Sequence, residues 1–269
     1  MAGSDSAESM NKPTADMSTD SAWEQWGRND PYFGVFTNPI FRRTAMTEDA
    51  KRDFFRSGVS DADQTLAAIR THIDPSFVPR KILDYGCGVG RLVVAFATMA
   101  EEVVGVDVSP SMLEEAQRNC DERQLRNVRL LRCDDDLSNV TRDFDLIHSC
   151  IVFQHIPVER GRVIFANLLR RLRPGGIAAI HLTYSKTRFE SSHGLAPAAS
   201  PAPQTVERPP SATAGGGDPE MQMNPYNMNT ILFLMQSHGV QKSYFEFTDH
   251  GGELGVFLYF SIPLDPAKP

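Results

Sequence analysis

The chain predicts an α/β fold in which a largely parallel sheet carries helices on both faces and binds its ligand at the carboxyl edge of the strands. Three observations carry this expectation. Short apolar runs alternate with stretches of helical period between residues 81 and 183. The first run leads into Asp84-Tyr85-Gly86-Cys87-Gly88-Val89-Gly90, three glycines set two apart, which lets a backbone turn sharply and approach a ligand closely. The second run, Val103-Val104-Gly105-Val106-Asp107, ends in an acid about 20 residues past that loop, where such folds hold a ribose diol.

The elements follow in order. Between Trp23 and Pro79 the aromatics Trp23, Trp26, Tyr32, Phe33, Phe36, Phe41, Phe54 and Phe55 are too many for a free linker and predict a cap folded onto the domain. Within it Leu66, Ile69 and Ile73 repeat at helical spacing, so a helix is expected over 61–73, ended by Asp74-Pro75. The core then reads as strand 81–85, helix 89–99, strand 103–107, helix 110–123, strands 127–133 and 144–149, helix 158–172 and strand 177–183. Ser109-Pro110 is a helix start and Pro174-Gly175-Gly176 a stop. From Lys186 to Glu220 the chain turns to Pro, Ala, Ser and Gly, which predicts a mobile insert leaving the fifth strand, either a lid or an inert loop. A helix to His238 and strands over 241–248 and 254–261 complete the pattern. The expected division is a disordered leader 1–20, a cap 21–79, a catalytic domain 80–262 holding the insert 186–220, and a tail 263–269.

With 269 residues, 41% of them hydrophobic, the chain can bury one sizeable core. A formal charge of −7 gives no long-range attraction for a polyanion, so nucleic acid is not expected as a partner. Cys87, Cys120, Cys133 and Cys150 lie apart without metal-like pairing, and His72, His181, His193 and His238 share no spacing. Reduced thiols in a cytoplasmic protein and no metal are expected. Residues 1–20 hold no apolar core of a secretory signal, and no apolar run reaches the ~18 residues a spanning helix needs, so a membrane is not expected either. A homodimer is the default expectation for assembly.

The loop also separates cofactors. A dinucleotide fingerprint would require its third glycine at Arg91, and Asp84 before the loop would repel a pyrophosphate but favour an ammonium. S-adenosylmethionine carries an ammonium and a sulfonium and no phosphate. Candidate cofactor residues are Asp84, Gly86, Cys87, Gly88 and Gly90 in the loop, Asp107 and Val108 for the ribose, and Ser149 at the end of the fourth strand. Asp134, with Asp135 as the neighbouring register, ends the third strand and could accept from the adenine amino group.

On these residues the chain resembles the class I S-adenosylmethionine-dependent methyltransferases of small-molecule type. The resemblance runs from about Arg80 to Ile262 and rests on Asp84-x-Gly86-x-Gly88-x-Gly90, Val106-Asp107-Val108-Ser109-Pro110-Ser111-Met112-Leu113, Phe144-Asp145-Leu146-Ile147 and Leu172-Arg173-Pro174-Gly175-Gly176. It implies a Rossmann-like seven-stranded sheet of order 3-2-1-4-5-7-6, the last strand antiparallel, and methyl transfer from S-adenosylmethionine. It does not imply an acceptor.

A hydroxyl acceptor must lose its proton as the new bond forms. His155, in Ile151-Val152-Phe153-Gln154-His155-Ile156-Pro157 after the fourth strand, is the base that similar enzymes, including the phosphoethanolamine type, imply, working with an N-terminal tyrosine carried over as Tyr32. The alternative is that His155 only caps or packs the next helix. Gln154, Tyr226 after the insert and His250 between the last strands are candidate acceptor contacts, although Asp249-His250-Gly251-Gly252-Glu253 also reads as an ordinary turn. Arg160, Arg162, Arg170, Arg171 and Arg173 read as a solvated helix face. Asn-Pro-Pro-Tyr, which similar enzymes that methylate exocyclic or amide nitrogens use, is absent after the fourth strand, so the resemblance disfavours DNA adenine and glutamine as acceptors. The expected function is methyl transfer to a small molecule or sugar, with oxygen favoured. The alternatives are a protein or peptide methyltransferase and a non-catalytic S-adenosylmethionine-binding protein.

Overall fold

Ile82 and Leu83 decide the architecture, because adjacent strand residues point to opposite faces and both are fully buried. Strand β1 (Lys81–Tyr85) must therefore lie inside a sheet covered on both sides. The computed structural model, which describes residues 15–141, 143–187 and 218–264, places it at the centre. It pairs in parallel with β2 (Glu102–Asp107) on one side and β4 (Phe144–Ser149) on the other, Leu83 standing between Val104 and Ile147. Outside these lie β3 (Val128–Arg132) and β5 (Leu172–Lys186), both parallel. Strand β7 (Glu253–Ser261) runs antiparallel between β5 and β6 (Ser243–Asp249). The order is β3-β2-β1-β4-β5-β7-β6, as the resemblance implies.

The two faces hold separate cores. The Leu83 face packs Val104, Ile147 and Ala178 against α6 (Val158–Leu169) and α7 (Met228–Ser237). The Ile82 face packs Val103, Leu146 and Ile177 against α4 (Arg91–Phe96), α5 (Pro110–Glu122) and an N-terminal cap. The cap consists of α1 (Ala15–Asn29), α2 (Pro31–Val35), a 3-10 turn at Pro39–Phe41 and α3 (Glu48–His72). Its aromatics are structural: Trp26, Phe33, Phe41, Phe54 and Phe55 are buried in the same cluster as β1 and α4.

Several boundaries differ from the sequence reading: α6 already ends at Leu169 and β5 begins at Leu172, so Pro174-Gly175-Gly176 lies within the strand instead of stopping the helix, and two helices of the cap start early. Helix α3 begins well before residue 61, because Thr47 caps it, its Oγ1 accepting from the Ala50 amide at 3.1 Å, and Glu48 and Asp49 fill the first turn. Gly58 does not break it. A Cβ there would stand 2.4 Å from the Arg91 carbonyl oxygen, so the glycine lets α3 lie close against the start of α4. Helix α1 reaches back to Ala15, so the end of the expected leader is helical, with Thr19 buried. The rest of that leader, most of the 186–220 insert with His193, and most of the 263–269 tail lie outside the described residues.

Candidate active site

The β1–α4 loop turns through three left-handed glycines, Gly86 (φ 73°), Gly88 (φ 52°) and Gly90 (φ 83°), a conformation that costs other residues energy. The amides of Gly86 and Cys87 both donate to the Val106 carbonyl, at 2.8 and 3.0 Å, tying the loop to the end of β2. There Asp107 receives the Gly88 amide on Oδ2 and the Ser109 amide on Oδ1, both at 2.9 Å. Above them opens a cavity of about 340 Å³ walled by Gly86, Gly88, Asp107, Val108, Gln154, His155 and His250, within the range of small-ligand sites. Its roof is the cap, through Thr19, Asp20 and Trp23 of α1 and Gly34 and Val35 of α2.

Asp107 tests the cofactor. Burial pushes its carboxyl up to about 6, against hydrogen bonds from the Ser109, Gly88 and Val108 amides. The group is open to the cavity yet enclosed by protein, without a cationic side chain bonded to it among the described residues. A pair of hydroxyl donors is what such a carboxylate lacks, and a ribose diol supplies them. With Gly86 and Gly88 presenting bare backbone to the same cavity, the residues fit a nucleoside cofactor.

The other expected cofactor residues divide. Val108 lines the cavity. Cys87 and Gly90 shape the loop from beneath: Cys87 is 4% exposed, its thiol pushed well up by burial. Asp84 does not reach the cavity wall, contrary to the expected contact with an ammonium. Strand alternation turns it to the Ile82 face, where Oδ1 accepts from His148 Nδ1–H at 2.8 Å and both residues are buried. Ser149 is likewise turned inward, donating to the Tyr85 carbonyl at 3.0 Å. Asp134 accepts from the Ser138 amide at 2.9 Å and from its hydroxyl, and Asp135 pairs with Arg160 at 2.8 Å. Cys133, one residue earlier, is the part of this strand end that lines the cavity.

Strand β4 leaves the sheet through Ile151, a β-branched residue at φ 57°, a strained backbone of the kind that accumulates at functional sites. The 3-10 turn Phe153–His155 follows and brings Gln154 and His155 to the cavity wall. His155 is 8% exposed, its ring 4.9 Å from that of Trp23. Its Nδ1 lies 2.8 Å from the Gln222 carbonyl, which can only accept, so Nδ1 carries the hydrogen and Nε2 the lone pair. Burial pushes the imidazole down to about 4, against the bond to Gln222, so the neutral ring prevails at pH 7.

Tyr32 does not join it. Helix α2 presents Gly34 and Val35 to the cavity, while the Tyr32 hydroxyl lies against α5, 2.6 Å from Glu115 Oε1 and 2.9 Å from Asn119 Oδ1. Tyr226 is structural too. It is 1% exposed and donates to the Ile156 carbonyl at 3.0 Å, under a glycine, Gly161, whose Cβ would collide with it. His250 does line the cavity, with His181 behind it at 5.4 Å between ring centroids.

Arg160 corrects the reading of α6 as a wholly solvated face. Its side chain is 9% exposed, lines the cavity, and binds Asp20 of α1 at 2.7 Å as well as Asp135. Nothing local distinguishes it from Arg162 in the sequence; its place in the first turn of α6 is what brings it to the cavity. Glu24 makes a second tie, accepting from the Ser109 and Ser111 hydroxyls at 2.7 and 2.8 Å and from the Ser111 amide at the start of α5. Burial alone would raise its carboxyl, but these bonds take it down to about 2.

Residues 82–176 match a family model described as a methyltransferase domain. Trans-aconitate 2-methyltransferase of Deinococcus radiodurans is 28% identical over 146 residues, 45% of this chain and 54% of the relative. Ubiquinone biosynthesis O-methyltransferase of Coxiella burnetii is 34% identical over 100 residues, 36% of this chain and 41% of the relative. The chain thus spans about half the length of these curated relatives, or less. Magnesium protoporphyrin IX methyltransferase from Synechocystis, solved with bound SAH, is similar in fold, with a TM-score of 0.59 and 17% identity over 89% of this chain and 97% of that one. The glycine loop and Asp107 fall inside the matched stretch, so residues 82–176 carry the methyltransferase domain that the family model describes, within a sheet of the order the resemblance implies.

Proposed function

We propose that the protein transfers a methyl group from S-adenosylmethionine to an oxygen of a small-molecule or sugar acceptor. The observation that carries this is His155, its Nε2 lone pair fixed by Gln222 and its ring on the wall of the roofed cavity beside the glycine loop. Gly86, Gly88, Val108 and Asp107 would hold the cofactor, which supplies an electrophilic methyl when bound. The chain's own work is to roof the cavity against water with α1 and α2 and to receive the acceptor's proton at His155 Nε2. A cavity of about 340 Å³ under a helical roof suits a small acceptor better than a protein segment. The two curated relatives named above bear small-molecule names, in keeping with this reading. Among the described residues no helix is long and apolar enough to cross a membrane.

The test is transfer of isotopically labelled methyl from S-adenosylmethionine into a size-fractionated extract of the source cells. Label in the low-mass fraction is expected, lost with Asp107→Ala because the cofactor no longer binds. His155→Ala should retain cofactor binding and lower turnover by about 10²-fold or more. Label only in protein would favour a protein acceptor, and unchanged turnover in His155→Ala would remove the base.

A further inference from the structure

Beside His155 the cavity wall carries a second nitrogen whose role is dictated by its neighbours. Gln154 Nε2 stands 3.5 Å from His155 Nε2, while the amide oxygen, Oε1, accepts from the Thr183 hydroxyl at 3.0 Å. Turning this amide over would set its oxygen against the bare ring nitrogen, two acceptors facing each other. The tautomer that Gln222 imposes on His155 therefore also fixes Gln154, with its NH₂ toward the imidazole and its oxygen toward Thr183. A separation of 3.5 Å is at the outer limit of a hydrogen bond, so each nitrogen keeps capacity for a ligand. Gln154 and Thr183 are 6% and 1% exposed, and the Asn224 amide donates to the Gln154 carbonyl at 2.7 Å. The pair is thus rigidly held, one donor next to one acceptor, facing the cavity.

We propose that Gln154 and His155 together select an acceptor bearing two oxygens on adjacent carbons, such as a catechol or a hydroxyl next to a carbonyl, with Thr183 as a positioning residue. This rests on the oxygen-methylation reading above. The hydroxyl to be methylated donates to His155 Nε2, and the neighbouring oxygen accepts from the Gln154 NH₂. As the new oxygen–carbon bond forms and the donor's sulfur–carbon bond breaks, the hydroxyl proton passes to His155 Nε2 and on to solvent. The products are a methyl ether and a neutral thioether. An acceptor with one oxygen leaves the buried Gln154 NH₂ unpaired, and oxygens on carbons one further apart are set too wide for both nitrogens; sites built around a hydrogen bond discriminate strongly against ligands that cannot make it.

The full-length protein is offered catechol against resorcinol, and 2,3- against 2,7-dihydroxynaphthalene, with aniline as a nitrogen control. Labelled methyl transfer is followed, and binding is measured separately by calorimetry in the presence of S-adenosylhomocysteine. The adjacent-oxygen isomers should bind more tightly and show kcat/KM higher by about tenfold or more. Gln154→Leu should abolish that preference, Thr183→Val should reduce it, and Thr183→Ser should restore it, which keeps the test open if the Leu variant does not fold. Equal binding and turnover of the isomers, or a preference that survives Gln154→Leu and Thr183→Val, would overturn the selection and leave oxygen methylation standing. Label on aniline alone, or on none of the hydroxyl compounds, would overturn the oxygen reading as well.

Discussion

Asp107 and His155 show what one residue's surroundings do. Both are titratable groups largely withdrawn from water, but Asp107, half-buried on the cavity wall, is pushed up to about 6 and the buried His155 down to about 4, because desolvation disfavours whichever form is charged. Asp107 was legible in the sequence because its clue is local, an acid ending an apolar run at a fixed distance past the glycines. His155 was legible by offset, although the segment that fixes its tautomer lies beyond the insert. Asp84, Asp134, Tyr32 and Tyr226 were misplaced for a common reason. They were assigned from chain position or, for Tyr32, from the resemblance, whereas each side chain is directed by its partner: His148, Glu115 and Ile156, far along the chain, for Asp84, Tyr32 and Tyr226, and Ser138 in its own loop for Asp134.

Elements were predicted well where periodicity ran unbroken and less well at their ends. The strand order followed from the resemblance, but α3 was expected too short because the apolar repeat read for it begins at Leu66, and the close contact that Gly58 allows further upstream is with the Arg91 carbonyl on another helix. A methyl there has no room at 2.4 Å from backbone, so Gly58→Ala should cost stability although alanine is the better helix former. We expect a loss of about 1–3 kcal/mol, read from urea midpoints; an unchanged or raised midpoint would mean that the helices can part without penalty. The roof helix α1 makes a second prediction. Asp20→Asn leaves Arg160 its pair with Asp135 but loosens α1, and Asp20 is 41% exposed. The effect should be modest, up to about 1 kcal/mol or roughly fivefold in S-adenosylhomocysteine affinity, and smaller at high salt. A salt-independent change would point to packing instead.

Over the whole molecule these groups set a pH dependence. His155 and His181 are both held down to about 4 by burial, His181 also by His250, so between about 6.5 and 4 the unfolded chain binds more protons than the folded one and stability falls on acidification. Asp107 acts oppositely between its usual 3.8 and about 6, since the folded state holds its proton more firmly. Two histidines against one carboxylate leave a net loss on the order of 3 kcal/mol from pH 6.5 to 4, measurable by denaturant titration of the ligand-free protein. His181→Asn should flatten that slope, and a flat profile in the unaltered protein would refute the assignment. The roof has a consequence of a different kind, in the order of synthesis. Asp20 and Arg160 are 140 residues apart, so at ~5–20 residues per second α1 leaves the ribosome on the order of ten seconds before its anchor exists. During that interval Trp23 lacks the His155 ring it packs against, and a chaperone that meets the nascent chain should find its binding site there.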